Sequence, residues 1–165
     1  RVSDACDAAP VITNDAPALF ELGSTRVTWT ATDASGNAAT AVQLVTVQDT
    51  TAPRLAITGL PTQLWPANHA MVRITPTVTL VDACDARPSL TVRVTSSEAD
   101  NGTGDGNTTG DIVIHSARDI ELRAERSGRG SGRTYTLVWT ATDASGNSTT
   151  LTKTVRVPHS GGNSR

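Results

Sequence analysis

The densest set of chemically capable side chains lies in Glu98-Ala-Asp-Asn-Gly-Thr-Gly-Asp-Gly-Asn-Thr-Thr-Gly-Asp111. Glu98, Asp100, Asp105 and Asp111 supply carboxylates, Asn101 and Asn107 supply amide oxygens, and the glycines let the backbone curl around an ion. Hard oxygen donors of this kind are what calcium takes. The spacing does not fit the helix-loop-helix calcium pattern, because no Glu closes a twelve-residue loop. The same composition also suits a solvated, glycine-rich loop, and both interpretations stand on sequence alone. Asp82 and Asp143 are further contributors if neighbouring loops bring them in.

A second set follows at Arg123, Arg126, Arg129 and Arg133. Guanidinium groups grip uronate or sulfate on a polysaccharide, with Trp65 beside Pro66 offering a ring to stack on a sugar. The alternatives are ion pairing with Glu121, Glu125 and the acidic loop for the arginines, and packing between modules for Trp65. His69, His115 and His159 are solitary, without His-x-x-x-His or Cys-His spacing for zinc. No serine sits in a Gly-x-Ser-x-Gly elbow, and the Gly-x-Gly fragments near 102–106 and 128–132 open no helix. No catalytic set is expected. Asn101, Asn107 and Asn147 begin Asn-x-Ser/Thr acceptor patterns, meaningful only in a host that glycosylates them.

The elements that must position these groups are announced by a repeat. Trp29-Thr-Ala-Thr-Asp-Ala-Ser-Gly-Asn37 recurs unchanged at Trp139 to Asn147, and Asp4-Ala-Cys-Asp-Ala8 recurs at Asp82 to Ala86. The chain thus contains two copies of one module. The first pair is offset by 78 residues and the second by 110, so the later copy carries 32 extra residues between its motifs. The acidic loop and the arginines fall inside that enlargement. The first copy starts almost at residue 1, so it is expected to be incomplete at its N-terminus.

Tyr135, Leu137, Trp139 and Ala141 alternate with Thr134, Thr136, Thr140 and Thr142, and Val27, Trp29 and Ala31 alternate in the same way. A period of two predicts half-buried strands with both tryptophans inward. Asp-Ala-Ser-Gly-Asn supplies a turn, and a second alternating strand returns, so each copy ends in a hairpin. Gln43 and Lys153 break the inward parity, which a bulge or a position near the solvent end would explain. Lys153 is the single lysine, and an isopeptide crosslink is disfavoured because glutamine occupies the matching site.

Strand-like runs lie near 10–13, 18–22, 25–32 and 40–48 in the first copy. In the second they lie near 54–58, 70–81, 89–96, 112–116, 119–125, 133–142 and 149–157, with no amphipathic helix. The fold class is all-β: two tandem immunoglobulin-like β-sandwich modules, the first incomplete. The expected organisation is an incomplete module over 1–49, a linker at 50–53, an enlarged complete module over 54–158, and a tail over 159–165.

The net charge of -2 argues against a general electrostatic grip on nucleic acid. No apolar run approaches the roughly 18 to 20 residues of a membrane span. Opening on Arg1 suggests a processed or excised piece. Cys6 and Cys84 sit at equivalent points of consecutive modules, normally far beyond the roughly 7 Å limit for a disulfide, so they are expected as buried thiols, with a bridge from Cys6 to a segment outside this sequence as the alternative.

Asp-Ala-Cys, then Leu22-Gly-Ser-Thr-Arg-Val-Thr-Trp-Thr-Ala-Thr-Asp-Ala-Ser-Gly-Asn37, then Val45-Thr-Val-Gln-Asp-Thr-Thr-Ala-Pro53 resemble the hyalin repeat family. Leu64-Trp-Pro-Ala-Asn-His-Ala-Met71, Arg123-Ala-Glu-Arg-Ser-Gly128 and Val157-Pro-His159 resemble a variant module near the C-terminus of bacterial secreted proteins. The resemblance implies immunoglobulin-like modules, an extracellular location and an adhesive or structural role. Independently of the resemblance, the four strands of the first copy, with Val27, Trp29, Val45 and Val47 inward, leave an open apolar cleft with unpaired edges. Self-association or binding of other surface proteins through the incomplete module is therefore expected. A carbohydrate-binding module of a larger secreted enzyme is the alternative.

Overall fold

The computed structural model describes residues 2–102, 104–106 and 108–160, in two compact units, Arg1–Thr50 and Thr51–Arg165. Among the described residues every regular element is a strand. The all-β, immunoglobulin-like class is therefore the observed one.

In the second unit, β4 (Arg54–Thr58) pairs antiparallel with β6 (Thr77–Val81), and β5 (Met71–Ile74) pairs with β9 (Asp119–Arg123). Strand β9 also pairs with β8 (Ile112–Ser116), with a register shift between Ile114 and Ser116. The sequence predicts one strand over 70–81, and the structure breaks it at Thr75-Pro76. Pro76 has no N–H to give a ladder, so pairing hands over there from β9 to β4. Inward parity nonetheless continues through the break, with Ile74 and Pro76 buried and Val78 half-buried. Strands β5 and β6 are two halves of one immunoglobulin strand.

The facing sheet has the order β11-β10-β7, from β7 (Ser89–Ser96), β10 (Gly132–Thr142) and β11 (Ser148–Pro158). After β4, the chain passes to this second sheet. Leu64 N–H donates to Arg156 O at 2.8 Å, Arg156 N–H donates to Thr62 O at 3.1 Å, and Gln63 bridges Arg156 in parallel. The Tyr135 hydroxyl donates to Arg123 O at 2.8 Å, tying the start of β10 to the end of β9 as a tyrosine corner does in immunoglobulin domains. Ile57 from the β4–β6 pair and Ile74, Ile120 and Leu122 from the β5–β9–β8 sheet meet Leu137, Trp139, Val155 and Val157 of the facing sheet in one buried cluster. The alternation of β10 is realised in full: Tyr135, Leu137, Trp139 and Ala141 are all buried.

Among the described residues the first unit contains β1 (Val11–Asn14), β2 (Gly23–Thr32) and β3 (Ala38–Val47) alone, in the order β1-β2-β3. Ile12 lies opposite Ala31 as Leu90 lies opposite Ala141, so these strands correspond to β7, β10 and β11. The unit is one sheet of the sandwich. Residues 18–22 form no strand; 15–22 only connect β1 to β2, where the second unit inserts β8 and β9. Trp29, expected inward, is 38% exposed, because its own unit has no opposing sheet to cover it.

Neither parity-breaking residue sits at a bulge. Val27 faces Gln43 and Leu137 faces Lys153 in unbroken registers.

Candidate functional site

The repeated motifs meet in space within each unit. Asp4 Oδ1 accepts the backbone N–H of Cys6 and Asp7 at 2.9 and 2.7 Å, and Asp82 Oδ1 accepts those of Cys84 and Asp85, both at 2.9 Å. Asp7 Oδ2 then accepts the Ala34 N–H, and Asp85 Oδ2 the Ala144 N–H, both at 2.9 Å. The second turn is held from within: Asn37 donates backbone and side-chain N–H to Asp33, and Asn147 does the same to Asp143. Both repeated motifs are thus halves of one carboxylate-stapled corner. The cysteines ride on the outside of it. Cys6 and Cys84 are exposed, not buried as expected, because the turn commits their backbone N–H groups inward.

The acidic loop occupies the connection from β7 to β8, and its carboxylates converge on one guanidinium. Arg133 is fully buried. Its Nε lies 3.3 Å from Glu98 Oε2, its Nη2 lies 3.5 Å from Asp105 Oδ2 and 3.8 Å from Glu125 Oε1, and its Nη1 bonds Asp111 Oδ2. Nη1 also donates to the Tyr135 hydroxyl at 3.1 Å, and Nη2 to Ala99 O at 3.3 Å. Burial works against the Arg133 charge, but hydrogen bonds with Tyr135 and Asp111 outweigh it and raise its pKa. Burial likewise pushes the Tyr135 hydroxyl above its ordinary value.

Asp111 is shared, its Oδ1 accepting from Arg123 Nε at 3.1 Å. Asp100 stands apart from the guanidinium. Its Oδ1 and Oδ2 accept the N–H groups of Asp111 and Gly110 at 3.0 and 3.2 Å, which lowers its pKa, the Asp111 bond foremost. Asn101 is exposed on a left-handed turn with φ 56°, and Asn107 lies outside the described residues. Of the six residues predicted as metal ligands, Glu98, Asp105 and Asp111 surround Arg133, while Asp100 and Asn101 stay on the loop's outer turns. A cleft of about 410 Å³ opens beside them, lined by Glu98, Asp100, Asp111, Thr95, Ser96 and Ile112 among others.

The predicted polysaccharide arm is not assembled. Arg123 spends its remaining donors on His69 O at 3.0 Å and Thr109 O at 2.9 Å. Arg126 spends its own on the carbonyls of Pro158, Ser127 and His159. These two arginines clamp loops and are not arrayed toward a ligand. Arg129 is exposed on the turn between β9 and β10, and Trp65 is 49% exposed in the connection from β4 to β5.

Glu125 was legible as one of the acids that pair with the arginines, but its place among the loop carboxylates was not. It is wholly buried, and its Oε2 accepts from Thr108 Oγ1 and lies 3.0 Å from His69 Nδ1. Gly106 closes the site over that ring. Its φ is 101°, and a Cβ there would lie 2.6 Å from His69 Cε1.

The fold and site define an immunoglobulin-like all-β protein whose enlarged module carries a buried ion-pair cluster in its loops. Comparison with protein-family models gives no match, and comparison with curated proteins gives none. Among solved structures the chain is similar to the fibronectin(III)-like modules of Clostridium thermocellum CbhA, at 15% identity and a TM-score of 0.38. That similarity covers 96% of this chain and 82% of the other.

Proposed function

We propose that the protein is an extracellular structural or adhesive component of hyalin-repeat-like modules, in which the first unit is an association surface. The observation that carries this is the contrast between two equivalent tryptophans: Trp139 is fully buried and Trp29 is 38% exposed. Trp29, Ile12, Ala31 and Ala41 line a groove of about 290 Å³ on the first unit. Strands β1 and β3 flank it as sheet edges. In the second unit the equivalent face is covered by β5 and β9, with Ile74, Ile120 and Leu122. A strand pair of that alternating character, donated by another chain or another segment, fits the open face. It would satisfy edge hydrogen bonds while burying alternate side chains. Repeated head to tail, such a contact does not close and builds a fibre.

The hyalin-repeat resemblance of residues 1 to 53 supports the extracellular assignment. Light scattering with size-exclusion chromatography on the end-verified chain tests association. Concentration-dependent oligomers that protect Trp29 from aqueous quenchers are expected, and a monomer at all concentrations with both tryptophans protected would sink the strand-donation idea. The exposed Trp65 supports a second proposal, that of a carbohydrate-binding module. Saturable binding on a glycan array that Trp65→Ala abolishes would favour it over assembly.

A further inference from the structure

The cluster around Arg133 leaves two buried oxygens with nothing to bond. Asp105 is 1% exposed and Glu125 is 0% exposed, and neither Asp105 Oδ1 nor Glu125 Oε1 has a hydrogen-bond partner. Every other carboxylate oxygen pointed at this guanidinium is occupied. Asp111 Oδ1 and Oδ2 take Arg123 and Arg133, and Glu98 Oε2 takes Ser127 N–H at 2.7 Å together with Arg133 Nε. Asp105 Oδ2 takes the Gly102 N–H and faces Arg133 Nη2. Glu125 Oε2 takes His69 and Thr108.

The charges do not balance either. Glu98, Asp105, Asp111 and Glu125 stand against Arg123, Arg133 and a half-exposed His69. Glu125 Oε1 lies 3.8 Å from Arg133 Nη2, beyond hydrogen-bond reach, while that nitrogen already serves Ala99 O. A buried carboxylate oxygen without a protein donor is costly, and excess negative charge around it raises the cost. A hard cation relieves both at once.

We infer that Glu125 Oε1 and Asp105 Oδ1 are ligands of a divalent cation, calcium by chemistry, seated beside the guanidinium. Calcium accepts irregular sets of oxygen ligands and leaves room for backbone carbonyls and for water. Magnesium demands a stricter octahedron and surrenders its waters reluctantly, so it is the weaker ligand here. The site differs from the one composition suggests, because Glu125 comes from the β9–β10 connection. Asp100 is left out, with both oxygens held by backbone N–H groups. The ion would join the loop after β7 to the loop after β9, across the two sheets.

Calorimetric titration of the whole, chelator-stripped chain with calcium chloride tests this, with magnesium chloride as the comparison and melting temperature as a second readout. One saturable site is expected, in the range of about 0.1–1 mM found for extracellular modules, with a higher melting temperature in calcium. Asp105→Asn and Glu125→Gln should each weaken binding about tenfold or more, and Asp119→Asn, whose carboxylate is taken by Arg73, should leave it unchanged. If Glu125→Gln fails to fold, Asp105→Asn decides alone. Absence of calcium binding to the folded wild-type chain overturns the inference. So does undiminished binding in Asp105→Asn.

Discussion

The indole N–H of Trp29 donates to Gln43 Oε1 at 2.9 Å. Its counterpart, Trp139, donates to the Ala117 carbonyl at 2.8 Å, in the turn between β8 and β9. The first unit has no such hairpin, since residues 15–22 alone join β1 to β2. A side chain on the adjacent strand therefore supplies the acceptor that the missing hairpin would have supplied. Gln43, which breaks the apolar parity of β3, is the residue that carries this acceptor.

This contrast sets the first prediction. Trp139→Ala should cost about 3–5 kcal/mol, as deletion of a fully buried large side chain does. Trp29→Ala should cost well under half of that in the unassociated chain, because the ring is already 38% exposed. Denaturant melts monitored by circular dichroism measure both. Equal losses would mean that the first unit buries its tryptophan in solution.

The stapled corner gives the second. Asp85 bonds the Ala144 N–H across the corner while also holding the Arg87 N–H at 2.8 Å. Asp85→Ala should destabilise the second unit by about 1–3 kcal/mol, the range for losing hydrogen bonds to a charged acceptor. Amide hydrogen exchange at Ala144 should accelerate while exchange in the middle of β10 is unaffected. Unchanged protection at Ala144 would separate the two motifs energetically.

Much of this was legible because the signals are local. Alternation placed β10 and β11, and the recurring Asp-x-Ser-Gly-Asn placed the hairpin turns, since a period of two and an Asx turn depend on near neighbours. Three features were not. The half-exposure of Trp29 depends on strands its own unit lacks, and parity alone cannot report that. The outward cysteines depend on Asp4 and Asp82 claiming the turn's N–H groups. The convergence of Glu98, Asp105, Asp111 and Glu125 on Arg133 joins β10 to two loops that only the completed sandwich brings together. Sequence showed acids and arginines in one enlargement, but not that one arginine sits at their centre.

That centre gives the third prediction. Arg133→Met should destabilise the second unit by about 3–5 kcal/mol, because removing one partner leaves buried carboxylates uncompensated. Pairing it with Asp111→Leu should recover part of the loss, since an apolar pair of similar volume avoids the stranded charge. Thermal melts of the single and double variants decide it. A double variant whose loss equals the sum of the single losses would show that Asp111 is held mainly by Arg123.

Gly132 gives the fourth. It opens β10 with φ 107°, and a Cβ there would lie 2.5 Å from Val157 O and 3.2 Å from His159 N. Those atoms are backbone and cannot swing away. Gly132→Ala should therefore cost more than the roughly 1–3 kcal/mol of a strained dihedral alone, and should loosen pairing between Gly132 and Pro158. Gly146→Ala shares a positive φ of 90° but meets nothing within 4 Å, so it should show only the dihedral cost. Comparing the two melts separates strain from collision.

The last prediction concerns acid. The Asp33 carboxyl lies below its ordinary pKa, held there first by the Asn37 side chain and then by backbone N–H groups. The Asp100 carboxyl lies below it through the N–H groups of Asp111 and Gly110. Asp119 is lowered chiefly by its hydrogen bond with Arg73. A carboxylate whose folded pKa is depressed binds fewer protons folded than unfolded at intermediate pH. Its contribution is complete above the unfolded value, near pH 4, and is lost as pH falls through the folded value beneath it. Stability should thus be flat in these groups above about pH 5 and should fall steadily below about pH 4. Asp33→Asn and Asp100→Asn should each reduce the steepness of that fall, most visibly in low salt for the exposed Asp33. Denaturant midpoints from pH 7 to pH 2 provide the measurement. Stability that rises on acidification through this window would show that these carboxylates are not held in their charged form by the turns that bind them.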